Sequence, residues 1–117
     1  SSEMALDFIV AERAEVALKH VLNYPNPFTS RTKFFFEHNQ SGVPLKVHIQ
    51  VYTVTGKLVK TIQQTVVSDS FVSEGIEWDG RDDYGDKLAR GVYIYKLAIL
   101  DINNSKAEKI EKLVILN

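Results

Sequence analysis

The chain has 117 residues, 44% of them hydrophobic, with 14 basic and 15 acidic side chains and a formal charge of -1. That length fills one compact domain with a sizeable core and leaves no room for a second. The near balance of charge supplies no long-range field for nucleic acid or an anionic membrane, and the absence of cysteine removes disulfides, thiolate metal sites and thiol nucleophiles together.

No stretch approaches the ~20 apolar residues that span a bilayer, and the apolar run Leu113 to Leu116 is far shorter, so a soluble chain is expected. Ser1-Ser2-Glu3-Met4 lacks the basic region and apolar block of a signal peptide and reads as the start of a piece cut from something longer.

In chain order, Ala5 to Val10 alternates, with Leu6, Phe8 and Val10 on one side, and predicts a first strand. Ala11 to Leu18 is the one stretch of good helix formers, but eight residues without a clear cap make a weak helix, and a linker after an upstream domain is the preferred reading. Residues 1–20 are therefore assigned to the end of a preceding domain and its linker, and 21–117 to the domain proper. From Val21 the pattern is β throughout: Val21 to Tyr24, Lys33 to Glu37, Leu45 to Val54, Lys57 to Val67, Phe71 to Trp78, Val92 to Leu100 and Lys106 to Leu116. Thr55-Gly56 and Asn103-Asn104-Ser105 predict tight hairpins. Pro25 and Pro27 remove two backbone donors and end a strand at a corner, where a crossover between sheets would fit. Regular short strands without helical crossovers predict an all-β, immunoglobulin-like antiparallel β-sandwich of about seven strands, with the N-terminal segment as an extra strand or linker. The lysine-interrupted segment Lys57 to Val67 reads as an edge, and the apolar tail Leu113 to Leu116 calls for cover on both faces.

Candidate chemistry is sparse. Trp78-Asp79-Gly80-Arg81-Asp82-Asp83-Tyr84-Gly85-Asp86 concentrates four carboxylates, but Gly80 and Arg81 stand at early positions and Arg90 at the twelfth, which breaks the EF-hand template. A tight Asp/Gly turn fits better, with cation binding as the alternative. His20, His38 and His48 lack the partner spacings of a metal site or general base and read as exposed strand histidines. Of Phe34-Phe35-Phe36, alternation sends Phe34 and Phe36 to the core and Phe35 to the other side. Tyr52, Tyr93 and Tyr95 are candidates for a carbohydrate platform, although tyrosines packed at sheet rims are commoner. No serine sits in a nucleophile elbow. No catalytic residue, metal or cofactor is assigned, and the chain is not expected to be an enzyme.

Five pieces in order, Asn23-Tyr24-Pro25-Asn26-Pro27-Phe28, Val47 to Gly56, Trp78-Asp79-Gly80 with Gly85, Gly91-Val92-Tyr93-Ile94-Tyr95, and Lys112-Leu113-Val114-Ile115, resemble the C-terminal sorting domain of proteins exported by the type IX secretion system of Bacteroidota. More narrowly, Val21 to Phe28, Phe36 to Gln40 and Glu108 to Ile115 look like the corresponding domain of that system's sortase. The resemblance covers about Val21 to Asn117. It implies a non-catalytic signal that directs export through the translocon, across the periplasm and outer membrane, and that tethers a cysteine-peptidase parent to the outer-membrane barrel protein PorV at the cell surface. Carried over by motif, the partner-binding candidates are Gly91, Tyr93, Lys112, Leu113, Val114 and Ile115, with strand addition as the recognition mode or, equally, a place in the core. The structural motif residues are Asn26, Pro27, Phe28, Trp78, Asp79, Gly80 and Gly85. Arg90 departs from the pattern, which has a small residue before the glycine. Residues 1–20, cut from their own sheet, would be free to add to an edge or swap between two molecules. Two other readings stay open: a carbohydrate- or calcium-binding sandwich, and a structural spacer similar to the immunoglobulin-like domain of flagellar hook-capping proteins, which share the Pro-Asn-Pro-Phe and Asp-Gly features.

Overall fold

The computed structural model describes residues 16–116; the expected strand Ala5 to Val10 and most of the Ala11 to Leu18 linker lie outside them. Seven strands follow one another: β1 Leu18–Tyr24, β2 Thr32–His38, β3 Leu45–Thr53, β4 Leu58–Val66, β5 Ile76–Trp78, β6 Gly91–Leu100 and β7 Lys106–Ile115. They form a three-stranded sheet in the order β1-β2-β5 and a four-stranded sheet in the order β4-β3-β6-β7, antiparallel throughout. The result is the expected all-β sandwich.

Period-two patterning explains the layers. Along β3, Leu45, Val47, Ile49 and Val51 are buried while Lys46, His48 and Gln50 point away, because successive side chains leave opposite faces of a strand. The same phase puts Tyr93, Tyr95, Leu97 and Ile99 of β6 inward. From the facing sheet come Phe34 and Phe36, with Phe35 on the other side. At the centre the Phe34 ring lies 4.9 Å from Tyr95 and 6.1 Å from Trp78, and Trp78 lies 5.7 Å edge-on to Phe28. Offset and edge contacts of this kind add to the burial of large apolar area.

Both expected hairpins are present. The β3-β4 turn reverses at Gly56, whose φ of 93° is a conformation that side chains with a Cβ rarely adopt. The β6-β7 turn uses Asn104 at φ 62°, with Asp101 Oδ1 accepting from the amides of Asn103 and Ser105.

Three elements differ from expectation. β1 starts at Leu18, and both Val16 and Leu18 are in the core, so residues 16–20 belong to the sandwich rather than to a linker. Of Phe71 to Trp78, only Ile76–Trp78 is strand. Ser73 turns its hydroxyl inward to accept from the Phe36 amide while its own amide donates to Phe36 O, which breaks the ladder there. At Pro25 and Pro27 the chain touches the other sheet only through Asn26 and Phe28 among the described residues, and returns to pair β2 with β1.

The Tyr95 hydroxyl is buried with no hydrogen-bond partner among the described residues, and desolvation, followed by the charge of Glu111, raises its pKa. Tyr95→Phe is therefore expected to leave stability unchanged or raise it by up to about 1 kcal/mol, whereas Phe34→Ala should cost about 3–5 kcal/mol. Urea unfolding of the two variants checks this, and a loss above about 1 kcal/mol in Tyr95→Phe contradicts it.

Candidate recognition surface on the last strand

The structure gathers the residues expected to meet a partner into one corner of the four-stranded sheet. β7 pairs with β6 along its whole length, placing Ile115 opposite Gly91, Leu113 opposite Tyr93 and Lys112 opposite Ile94. Tyr93, Leu113 and Ile115 face inward and are buried, and the Tyr93 hydroxyl donates to Ala89 O at 2.7 Å. These three hold the corner from inside. On the opposite face Val92 and Lys112 are exposed, and Ile94 and Val114 half-buried. Pairing across the strands aligns them with Tyr52 and Leu58, so an apolar band with Lys112 in it runs over the outer face. The sequence pointed to Lys112 and Val114 for a partner and to Tyr52 only for a carbohydrate platform, and it assigned no role to Val92, Ile94 or Leu58. The phase of the β6 alternation was the signal that could have found them.

The outer edge of β7 is closed at its end by the proline corner. Asn26 reaches from the other sheet and acts like a peptide group: Oδ1 accepts from the Val114 amide at 3.0 Å and Nδ2 donates to Lys112 O at 3.3 Å. Phe28 then makes an isolated parallel bridge, its amide donating to Val114 O and its carbonyl accepting from the Leu116 amide at 3.0 and 2.8 Å. Strand addition, the expected recognition mode, thus finds the edge from the Lys112 carbonyl to the Leu116 amide already taken by the protein's own chain.

Phe28 also links the corner to the Asp-Gly loop. A Cβ at Gly80 would stand 3.2 Å from Phe28 Cε2, and its φ is 73°, so the tight approach and the backbone both call for glycine. Trp78 Nε1 donates to Arg81 O. Within the loop Asp79 Oδ1 accepts from the Arg81 amide, Asp82 Oδ1 from the amides of Tyr84 and Asp86, and the Arg81 guanidinium donates to Gly85 O. Asp83 leaves the loop to cap β4: its amide donates to Val59 O and its carboxylate accepts from the Thr61 amide, with Lys60 3.7 Å away. The carboxylates of Asp79, Asp82 and Asp83 are thus engaged by backbone amides, as a turn requires. Among the described residues no three His, Asp or Glu side chains gather as a metal-binding group.

The carbohydrate platform is not assembled, because Tyr93 and Tyr95 are buried in the core while Tyr52 lies on the outer face with its hydroxyl on Gln50. One histidine also departs from expectation. His20 is exposed beside Glu37 and His48 lies near Gln63, but His38 is buried against Phe36 and Phe71. Its Nδ1 accepts from the Gln40 amide and its Nε2 has no partner among the described residues. Desolvation therefore lowers its pKa.

No protein-family model and no curated protein matches the chain. Among solved structures it superposes on the dimeric latent PorU from Porphyromonas gingivalis with a TM-score of 0.72 and 28% identity, over 88% of this chain and 10% of that one. The chain is similar to a part of PorU. It spans about a tenth of that protein's length. FlgD from Xanthomonas campestris, described for hook capping in flagellar assembly, matches with a TM-score of 0.55 and 19% identity over 93% of this chain and 75% of that one, a likeness of fold alone.

Asn26→Ala removes both side-chain bonds to β7 and should lower stability by about 1–2 kcal/mol. Hydrogen exchange should show faster exchange at the Val114 amide, with the centre of β6 unchanged. Because the folded pKa of His38 lies below the unfolded value of 6.5, the unfolded chain binds the extra proton first. Its contribution is complete above pH 6.5 and declines as pH falls from there toward the folded pKa. Unfolding midpoints measured from pH 7.5 to 5 should fall more steeply for the wild type than for His38→Phe.

Proposed function

We propose that the chain is a non-catalytic sorting and docking domain of the type IX secretion kind, which carries its parent, a cysteine-peptidase sortase like PorU, across the outer membrane and tethers it to PorV at the cell surface. The observation that supports this best is the likeness to PorU across 88% of the chain at 28% identity. The five ordered motifs add to it, since they fall at the junctions of the sandwich: the proline corner, the Asp-Gly loop under Phe28, and the paired ends of β6 and β7. With the edge at 112–116 occupied, the contact is assigned to the outer face, where Val92, Ile94 and Val114 supply apolar area around the Lys112 ammonium. Apolar area of this kind, with one charge to set orientation, suits a protein partner better than a small ligand.

A binding measurement with the purified barrel protein in nanodiscs tests the proposal. The 117-residue chain should bind, and Val92→Glu or Lys112→Glu should weaken binding at least tenfold without altering the circular dichroism spectrum. Absence of binding by the wild type would favour the spacer reading, for which the likeness to FlgD gives a fold precedent.

A further inference from the structure

Beyond the corner, no described residue pairs with the outer edge of β7. Residues whose backbone groups point away from β6 alternate along the strand. Lys112, Val114 and Leu116 are of this set because Asn26 and Phe28 bond them from outside. β7 pairs with β6 without a register shift, so Lys106, Glu108 and Ile110 share that direction. We propose that this edge pairs antiparallel with the same edge of a second copy, centred on Ile110, joining two four-stranded sheets into one of eight strands. The inference is independent of the secretion reading and of any exchange of residues 1–20.

The charges select both the occupant and the register. In a continuous antiparallel sheet with two-fold symmetry, opposed residues must lie on the same face, so the axis passes through one residue. An axis at Glu108 or Glu111 opposes two carboxylates. At Lys109 it opposes two ammonium groups and sets Lys106 against Lys112. At Ile110 every opposed charge meets its opposite: Glu108 faces Lys112 and Lys109 faces Glu111, each pair formed twice, around an isoleucine that is 65% exposed. An axis at Ala107 engages only 106–108 within the strand. Lysines on an edge ordinarily deter pairing with arbitrary strands, whereas this alternation is neutralised by its own copy. Opposed charges of opposite sign stabilise cross-strand pairs and like charges destabilise them. The ladder would consist of two bonds between Ile110 and its copy, and one on each side from the Lys112 amide to the carbonyl of Glu108 in the second copy. Asn26 ends it, since its Nδ2 already holds Lys112 O.

Lys109 and Glu111 are both exposed, and the ion pairs of Glu108 with Lys106 and Lys96 do not involve them, so their exchange leaves those ion pairs in place. Sedimentation of the 117-residue chain at low salt over a concentration series should show a shift from 13.3 kDa toward twice that mass. Lys109→Glu opposes Glu to Glu twice and should weaken association at least tenfold, while the exchange Lys109→Glu with Glu111→Lys should return it to within about threefold of wild type. Hydrogen exchange provides a second readout. The amides of Ile110 and Lys112 should gain protection as concentration rises, and those of Lys109 and Glu111, which point toward β6, should not. A wild type that stays monomeric, a Lys109→Glu variant that associates as well as wild type, or an exchanged pair as weak as the single variant overturns the proposal.

Discussion

The backbone of an edge strand has to be satisfied on its open side, and at the end of β7 the protein does this with a side chain from the opposite sheet. The Asn26 carboxamide accepts from Val114 and donates to Lys112, doing the work of one peptide group of a neighbouring strand. Phe28 then adds two backbone bonds and sends its ring under Trp78 and Gly80. A single corner of the chain thereby ties β1 to β7, one sheet to the other, and the core to the Asp-Gly loop. Removing any of its parts would expose either orphan amides or a cavity beside the aromatic cluster, both of which are costly.

The opposite edge of the same sheet is managed by the same physics with different residues. Asp83 leaves the acidic loop and offers its amide to Val59 and its carboxylate to Thr61 on β4. Each edge is thus capped over part of its length by a segment whose own fold is fixed elsewhere, by the proline corner on one side and by the Asp82-centred turn on the other. This agrees with the turn that the Asp/Gly pattern favoured over cation binding, since Asp79, Asp82 and Asp83 have backbone amides to bind.

Function follows from what these caps leave uncovered. Tyr93, Leu113 and Ile115 are interior, so in the proposed function they would act by shaping the strand pair that carries them, and the accessible chemistry is on the outer face at Val92, Ile94, Lys112 and Val114. The open portion of β7 before the corner is a separate surface, with backbone groups at Glu108 and Ile110 and a charge alternation of its own. The proposed docking role gains from this division, since specificity comes as much from closed edges as from attractive ones.

The amino-acid pattern by itself determined the strands whose apolar residues keep strict alternation, such as β3 and β6, and the hairpins at Gly56 and Asn104. It also placed Phe34 and Phe36 inside, because a period of two leaves no other consistent assignment. It ran out where side chains replace backbone. That Ser73 would break the strand after Phe71, that His38 would be buried with an unpartnered nitrogen, and that Val16 would join the core depend on which segments meet across the sandwich. The apolar run Leu113 to Leu116 called for cover on both faces, in the core or by a partner, and only the tertiary structure decided what closes its edge. Asn26 lies 86 residues before Lys112, and no local pattern records that a carboxamide so distant in the chain satisfies the edge.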